Sequence, residues 1–459
     1  MKRLTKPAVA IALIAAGCGV GGGGAERTVL VDFSHDEAAT AIFQNFPAEI
    51  DVTPGMTVVF KQTWTGEPHT VTGGTSVNKM MAAGKPWIQF FSAFEGLAAT
   101  AGLPDPENPS GPASALFDAI DAAKKEEPET VASLYEAYDA LLEQDIPLVD
   151  RKHPGDATFE SLVKTVDKYS EKFFESTNLP WAFGEDDITQ NAGQPCYLDK
   201  GMPPKKEDKA CAERDQRQPT FDGKASYYNS GIIPYEGPQG NTYRVKLANE
   251  IEPGNYFFYC AVHGPEQSTE VRVRPRGTDI PSQAEVNRVA RTEIDDYTKP
   301  MLEVFRDAKD GEVEVDGETI EAPFAGLNVP VHAILNEMIP KTIRAKVGEK
   351  VTWKMMGADH SISFDVPRYF PVMRFAKDGR ISLNPKLDKP FGGSPKIPEQ
   401  EGMGVLKVDG GTYDGSGFYS SGLMSAEPYA EYSLRFSKPG TYKYACLLHP
   451  PMVGTVVVR

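Results

Sequence analysis

The chain has 459 residues, enough for two domains that each bury a core. Its 24% charged residues are ordinary for a soluble globular protein, and 42 glycines with 37 prolines favour a loop-rich β architecture over a helical bundle. A formal net charge of −16 argues against nucleic acid as a partner, because phosphate binding needs clustered cations. It suits docking on a basic protein surface, and equally plain solubility.

Lys2, Arg3 and Lys6 precede a short apolar run from Ala8 to Gly17, too short to span a bilayer, which reads as a signal peptide. The run ends in IAAGC and resembles a bacterial lipobox, although Ala15 stands where Leu is commoner. That resemblance implies lipidation at Cys18 and makes the following GVGGGG a flexible tether. An ordinary cleaved signal with an incidental cysteine is the alternative. No later segment is long and apolar enough to span. The sequence therefore predicts a lipid-anchored protein outside the cytoplasm, periplasmic or at the cell surface, with residues 1–26 as signal and tether.

From residue 27 onward, FPAEIDVTPGMTVVFKQTWTGEPHTV alternates apolar and polar residues around a glycine turn, the pattern of half-buried strands. Next comes a predicted mainly helical insertion at about 110–180. Pro112, Pro128 and Asp156 stand at the heads of three helical patterns. Val131, Leu134, Tyr135, Tyr138, Leu141 and Leu142 form one apolar stripe, and Phe159, Leu162, Val163, Val166, Tyr169 and Phe173 another, both read as core. Cys196 and Cys211 follow in a lysine-rich stretch without a nearby histidine, and are expected to close a small disulfide loop. The first domain ends near 275 with EPGNYFFYCAVHGPEQSTEVRV. Residues 276–324 read as a connector, a helix interrupted near Pro300 and then an acidic hairpin, EVEVDGETIE.

The second domain, 325–459, repeats the first. Pro340, Gly348, Trp353 and His360 match Pro47, Gly55, Phe60 and His69, with a two-residue gap before the histidine. KPGTYKYACLLHPPMVGTVVVR matches the end of domain one without a gap, pairing Cys446 with Cys260 and His449 with His263. A thiolate suits the soft cuprous ion, imidazoles suit both copper oxidation states, and a weak axial contact disturbs neither. His360, Cys446, His449 and Met452 supply that set.

Here the chain resembles the cupredoxins, plastocyanin, azurin and their relatives, and its short Cys-x2-His-Pro-x-Met loop is most similar to amicyanin. The resemblance implies an all-β fold of two Greek-key β-sandwiches, the first carrying the helical insertion, and one copper in domain two. It also implies that His449 lies near an apolar patch where electrons enter or leave, with Pro450 and Pro451 at hand. In domain one His69, Cys260 and His263 are present, but Glu266 takes the methionine slot, with Gln267 beside it. Three readings stand there: a carboxylate or amide axial ligand, as in the red-copper nitrosocyanin that this site partly resembles; an open position; or a degenerate copy without metal. A second copper in domain one is the favoured expectation.

Seven histidines are too few for a multicopper oxidase cluster, and no His-x-His pair occurs. Copper nitrite reductases place a histidine directly before the cysteine, where this chain has Tyr259 and Ala445. His35 and His332 are expected in capping or core roles, and His153 on the surface. The resulting expectation is a membrane-tethered carrier of single electrons between redox protein partners, with no catalytic residue assigned. The alternatives are a copper store or chaperone, and a small-molecule redox enzyme at an open copper in domain one.

Overall fold

The computed structural model describes residues 26–63, 65, 67–101, 103, 110–144, 146–176, 219–230, 233, 241–315, 318–329, 331–366, 373–375, 381–383, 405–425, 429–449 and 451–459. Cys18, Cys196, Cys211 and Pro450 lie outside the described residues.

The first unit opens with strands β1 (Glu26–Val31), β2 (Thr40–Ile42), β3 (Asn45–Phe46), β4 (Glu49–Val52), β5 (Thr57–Gln62) and β6 (Thr72–Gly73). It closes with β7 (Tyr228–Asn229), β8 (Thr242–Lys246), β9 (Gly254–Cys260) and β10 (Gly264–Val273). Strict alternation in β1 turns Val29 and Val31 inward, and β10 does the same with Val271 and Val273. All of these strands except β2 form a β3-β1-β5-β8 sheet and a β4-β10-β9-β6-β7 sheet. Val29, Phe60 and Val245 of the first share one core with Ile50, Phe258 and Val271 of the second, so the two sheets pack face to face.

Among the described residues between β6 and β7 are four helices, α1 (Thr75–Ala101), α2 (Ala113–Ala123), α3 (Pro128–Glu143) and α4 (Phe159–Ser176), three of them at the expected places. Pro112 and Pro128 open α2 and α3. Asp156 does not cap α4; Thr158 does, its hydroxyl accepting the Ser161 N–H at 3.1 Å. The helical stretch begins earlier than residue 110, because α1 starts at Thr75 and runs through Pro86. Trp87, Phe90 and Leu97 of α1 join Phe117, Leu134, Tyr138 and Leu162 in a core of the helices' own.

Helix α5 (Gln283–Ala308) follows, with a capping box between Ser282 and Glu285, and is continuous through Pro300 rather than interrupted there. Pro300 frees the carbonyl of Asp296, which lies on the exposed side where water can satisfy it. The opposite stripe of α5 stays anchored in core. The hairpin of β11 (Glu312–Val315) and β12 (Glu318–Glu321) comes next.

The second unit comprises β13 (Phe324–Leu327), β14 (Ala333–Ile339), β15 (Thr342–Ala345), β16 (Lys350–Met355), β17 (Ser363–Phe364), β18 (Met373–Phe375), β19 (Ile381–Leu383), β20 (Leu406–Tyr413), β21 (Tyr419–Ser420), β22 (Ala430–Phe436), β23 (Gly440–Ala445) and β24 (Val453–Val458). Its two large sheets are β2-β14-β13-β16-β22-β20 and β15-β24-β23-β17-β21, and β18 pairs with β19 in a separate hairpin. Trp353, Tyr432 and Leu434 of one share a core with Phe364, Tyr444 and Val456 of the other. The sequence repeat is also a repeat of pairing. β1 runs parallel to β5 as β13 does to β16, and β4 parallel to β10 as β15 does to β24.

The units are not beads on a linker. Strand β2, from the first stretch of chain, pairs with β14 and extends the sheet of the second unit. Ala290, Ile294, Met301 and Phe305 of α5 share one core with Ile42 and Phe46 from before the helix and Phe324, Leu335 and Ile339 from after it. Helix α5, within the stretch expected as a connector, contributes its buried stripe to this shared core.

Candidate metal centres

Strand β9 ends on Cys260 and β23 ends one residue before Cys446, so the cysteines leave their sheets at matched points. Each early histidine sits in an isolated two-residue bridge. His69 exchanges backbone hydrogen bonds with Ile233 at 2.9 and 2.7 Å, and His360 with Met424 at 3.2 and 2.8 Å. Backbone pairing on both sides of the chain therefore fixes where each imidazole starts.

In unit two His360, Cys446 and His449 are buried and their donor atoms lie within 4.8 Å of one another. Nδ1 of His360 is 3.1 Å from Nδ1 of His449, and Cys446 Sγ is 3.6 Å from the latter. Nε2–H of His360 donates to the Met356 carbonyl at 3.1 Å, which leaves Nδ1 free for the centre. Gly326 makes this possible, since a Cβ there would lie 2.0 Å from His360 Nε2. Met452 closes the loop, its carbonyl accepting the Cys446 N–H at 3.0 Å, and its side chain is fully buried in the same core as Cys446.

Unit one brings His69, Cys260 and His263 together in the same way. The two Nδ1 atoms are 3.1 Å apart, and Cys260 Sγ lies 3.8 and 3.6 Å from them. The N–H groups of Thr70 and Val262 both point at Cys260 Sγ at 3.4 Å.

Glu266 is not part of this cluster. It turns to His332, 3.0 Å from Nδ1 but misaligned for a hydrogen bond. Gln267 is the inward residue, its Oε1 3.0 Å from His69 Nδ1 and 3.1 Å from His263 Nδ1. Strand register explains the exchange. Ser268 pairs with Tyr259 after a bulge, whereas Val453 pairs with Ala445, so the unit-one loop is one residue longer and Gln267 holds the place of Met452. A gap-free alignment slips by that residue.

Register also exposes Asp32. Val31 pairs with Gln62 and Ala325 with Met355, so Asp32 is the counterpart of Gly326, and both have positive φ, 65° and 74°. The buried Asp32 carboxylate accepts from His69 Nε2 at 3.1 Å, Thr65 Oγ1 at 2.5 Å, and the N–H groups of Phe33 and Ile42 at 2.5 and 2.7 Å. His69 is thus backed by a carboxylate where His360 is backed by a carbonyl.

Burial works against charge throughout the clusters, and the neighbours override it for both thiols. Against burial, hydrogen bonds from His263 and His69 hold the Cys260 thiol well below its ordinary range, and His449 and His360 do the same for Cys446. His69, despite burial, is pushed up to about 10 by Asp32 and Cys260, and His449 to about 10 by Cys446 and Glu67. Burial dominates at His360, which falls below its usual value.

Glu67 was not singled out by its sequence. Its Oε1 accepts Nε2–H of His449 at 2.9 Å and its Oε2 accepts Nε2–H of His263 at 3.3 Å. Burial opposes its ionisation, but the two imidazoles hold its carboxyl well below the usual carboxylate range. The repeat offered one signal, for Glu67 stands where the second copy has Ala358. Nor is His449 at an open patch: it is fully buried beneath Glu67. Of the other histidines, His153 is 85% exposed beside Asp150, and His35 Nδ1 accepts the Glu37 N–H in a surface turn. Burial, then the nearby His263, lowers His332 to about 4.

Donor chemistry and spacing fit a copper ion in each cluster. Bond lengths of about 2.0 Å to imidazole and about 2.3 Å to thiolate place trigonal donors about 3.5 to 3.7 Å apart. The observed separations of 3.1 to 3.8 Å bracket that range.

No known family pattern matches the chain, and no curated protein does. Among solved structures it is similar to amicyanins over 27% of its length and 73% of theirs. These include the Cu(I) form of a methionine-to-alanine mutant, at 25% identity and a TM-score of 0.15, and a reduced Cu(I) form at pH 4 of a proline-to-glycine mutant, at 26% and 0.15. At such a TM-score the likeness carries no weight; the strand pairing and donor atoms do. Among the described residues no helix is long and apolar enough to cross a membrane.

Proposed function

We propose that this chain is a membrane-tethered, extracytoplasmic electron carrier built on two cupredoxin-like Greek-key sandwiches. One type-1-like copper is held by His69, Cys260 and His263 with Gln267 as the fourth donor. The other is held by His360, Cys446 and His449 with Met452. Copper bound there would supply one-electron chemistry between Cu(I) and Cu(II). The observation that carries this reading is the duplicated cluster, two imidazole Nδ1 atoms 3.1 Å apart facing one buried cysteine in each unit.

The residues hold the donors still. Backbone bridges at His69 and His360 fix the early ligand, and the turn from Cys446 to Met452 fixes the loop ligands, so little need move when charge changes. The amide oxygen of Gln267 is a harder donor than a thioether, and Asp32 makes His69 more basic, so unit one favours the higher oxidation state. Electrons then run from unit one to unit two. Cys18 supplies the lipid tether, and redox proteins, docking on the acidic surface with basic faces, are the partners.

The test is Cys446→Ser in the full chain. The thiolate-to-copper absorption of unit two should vanish while that of unit one persists and the far-ultraviolet dichroism stays unchanged. A full set of thiolate bands in the variant would rule out the assignment.

A further inference from the structure

Glu67 joins the two centres while belonging to neither donor set. Its two oxygens each accept one Nε2–H, from His263 at 3.3 Å and from His449 at 2.9 Å. The carboxylate is only 12% exposed, so water does not compete freely for these bonds. Its backbone is pinned, for Gln62 Nε2 at the end of β5 donates to the Glu67 carbonyl at 2.7 Å.

The geometry around it is equally fixed. The His263 ring stacks on Phe43 with centroids 4.3 Å apart and planes 9° from parallel. Phe43 in turn donates its N–H to the His332 carbonyl of the second unit at 3.2 Å. The β2–β14 pairing and the shared core around α5 hold the units at one separation. Because His449 has no exposed edge, its outward nitrogen meets Glu67 and no external partner.

We infer that Glu67 is the electron bridge between the centres, carrying each electron from the loop histidine of one unit to that of the other. This rests on the reading that both clusters hold copper. In each event the donor centre is oxidised by one electron and the acceptor centre reduced by one; no bond forms or breaks, and no further reductant is needed. Electronic coupling falls more steeply across empty space than along bonds, and charge-assisted hydrogen bonds are the shortest non-bonded steps available. The route His263–Glu67–His449 contains two such steps and nothing else non-bonded.

The experiment uses full-length protein loaded with copper and reduced by a short pulse of less than one electron per molecule. Redistribution between the two thiolate-to-copper bands then reports the internal rate. Glu67→Leu removes both hydrogen bonds. Glu67→Asp keeps the charge but is one methylene too short to reach both rings. In both variants the internal rate should fall by an order of magnitude or more, with copper count and both bands retained. A wild-type rate in Glu67→Asp would overturn the bridge, leaving only an electrostatic role, and that variant decides the matter if Glu67→Leu loses copper. Wild-type protein without thiolate-to-copper bands would instead overturn the copper reading, before any rate is measured.

Discussion

Asp32 and Gly326 occupy equivalent positions just beyond paired strands, and the difference between them sets the histidine behind each centre. A glycine lets His360 lean on a backbone carbonyl, whereas Asp32 gives His69 a buried anion. Asp32→Asn keeps the shape and removes the charge, so the reduction potential of unit one should rise. Gln267→Met should raise it too, by exchanging an oxygen donor for a thioether, and should bring its spectrum toward that of unit two. Glu266→Met should change neither, because Glu266 faces His332. Redox titration followed at the two absorption bands checks all three variants; an effect of Glu266→Met equal to that of Gln267→Met would refute the register argument. At this scale the sequence reveals the cysteines and histidines that cluster in each unit, whose types and spacing are repeated. Asp32 and Glu67 stay hidden because nothing local marks a carboxylate that acts through a distant ring. Gln267 stays ambiguous because a one-residue bulge is invisible in an ungapped match.

Helix α5 and strand β2 decide how the units meet. Ile294 sits at the middle of α5, buried among residues drawn from both sides of the helix. Ile294→Ala should cost about 2–5 kcal/mol, the usual range for emptying a packed aliphatic site. Because the core is shared, urea unfolding should show one transition, shifted equally for the tryptophan of unit two and the copper bands of unit one. Loss confined to one set of signals would mean that the units unfold separately. Proline misleads at this scale. Pro86 and Pro300 both lie inside long helices, since burial of an apolar stripe outweighs one missing hydrogen bond. The α1 stripe of Val77, Met80, Met81, Trp87, Phe90 and Leu97 has helical spacing in the sequence, but Pro86 and the small residues around it mask that signal.

For the whole molecule, the duplicated strand pattern was legible because alternation and the Pro-Gly turns recur in both halves. The fusion of the halves was not, since the residues that build it, from Ile42 to Ile339, are far apart in the chain and individually ordinary. That fusion brings the two histidine–cysteine clusters to either side of Glu67, and on the proposed reading it would make the molecule a relay rather than two independent carriers. The tether has its own check: Cys18→Ala should move the protein from the membrane to the soluble fraction, and unchanged membrane association would refute lipidation there. Metal content decides whether the two clusters are copper centres at all. Metal-free protein titrated with Cu(II), followed by visible absorption and electron paramagnetic resonance, should bind two coppers per chain and develop two distinguishable thiolate-to-copper signatures. Uptake without any thiolate-to-copper band, giving only the resonance of ordinary tetragonal copper, would contradict the copper reading.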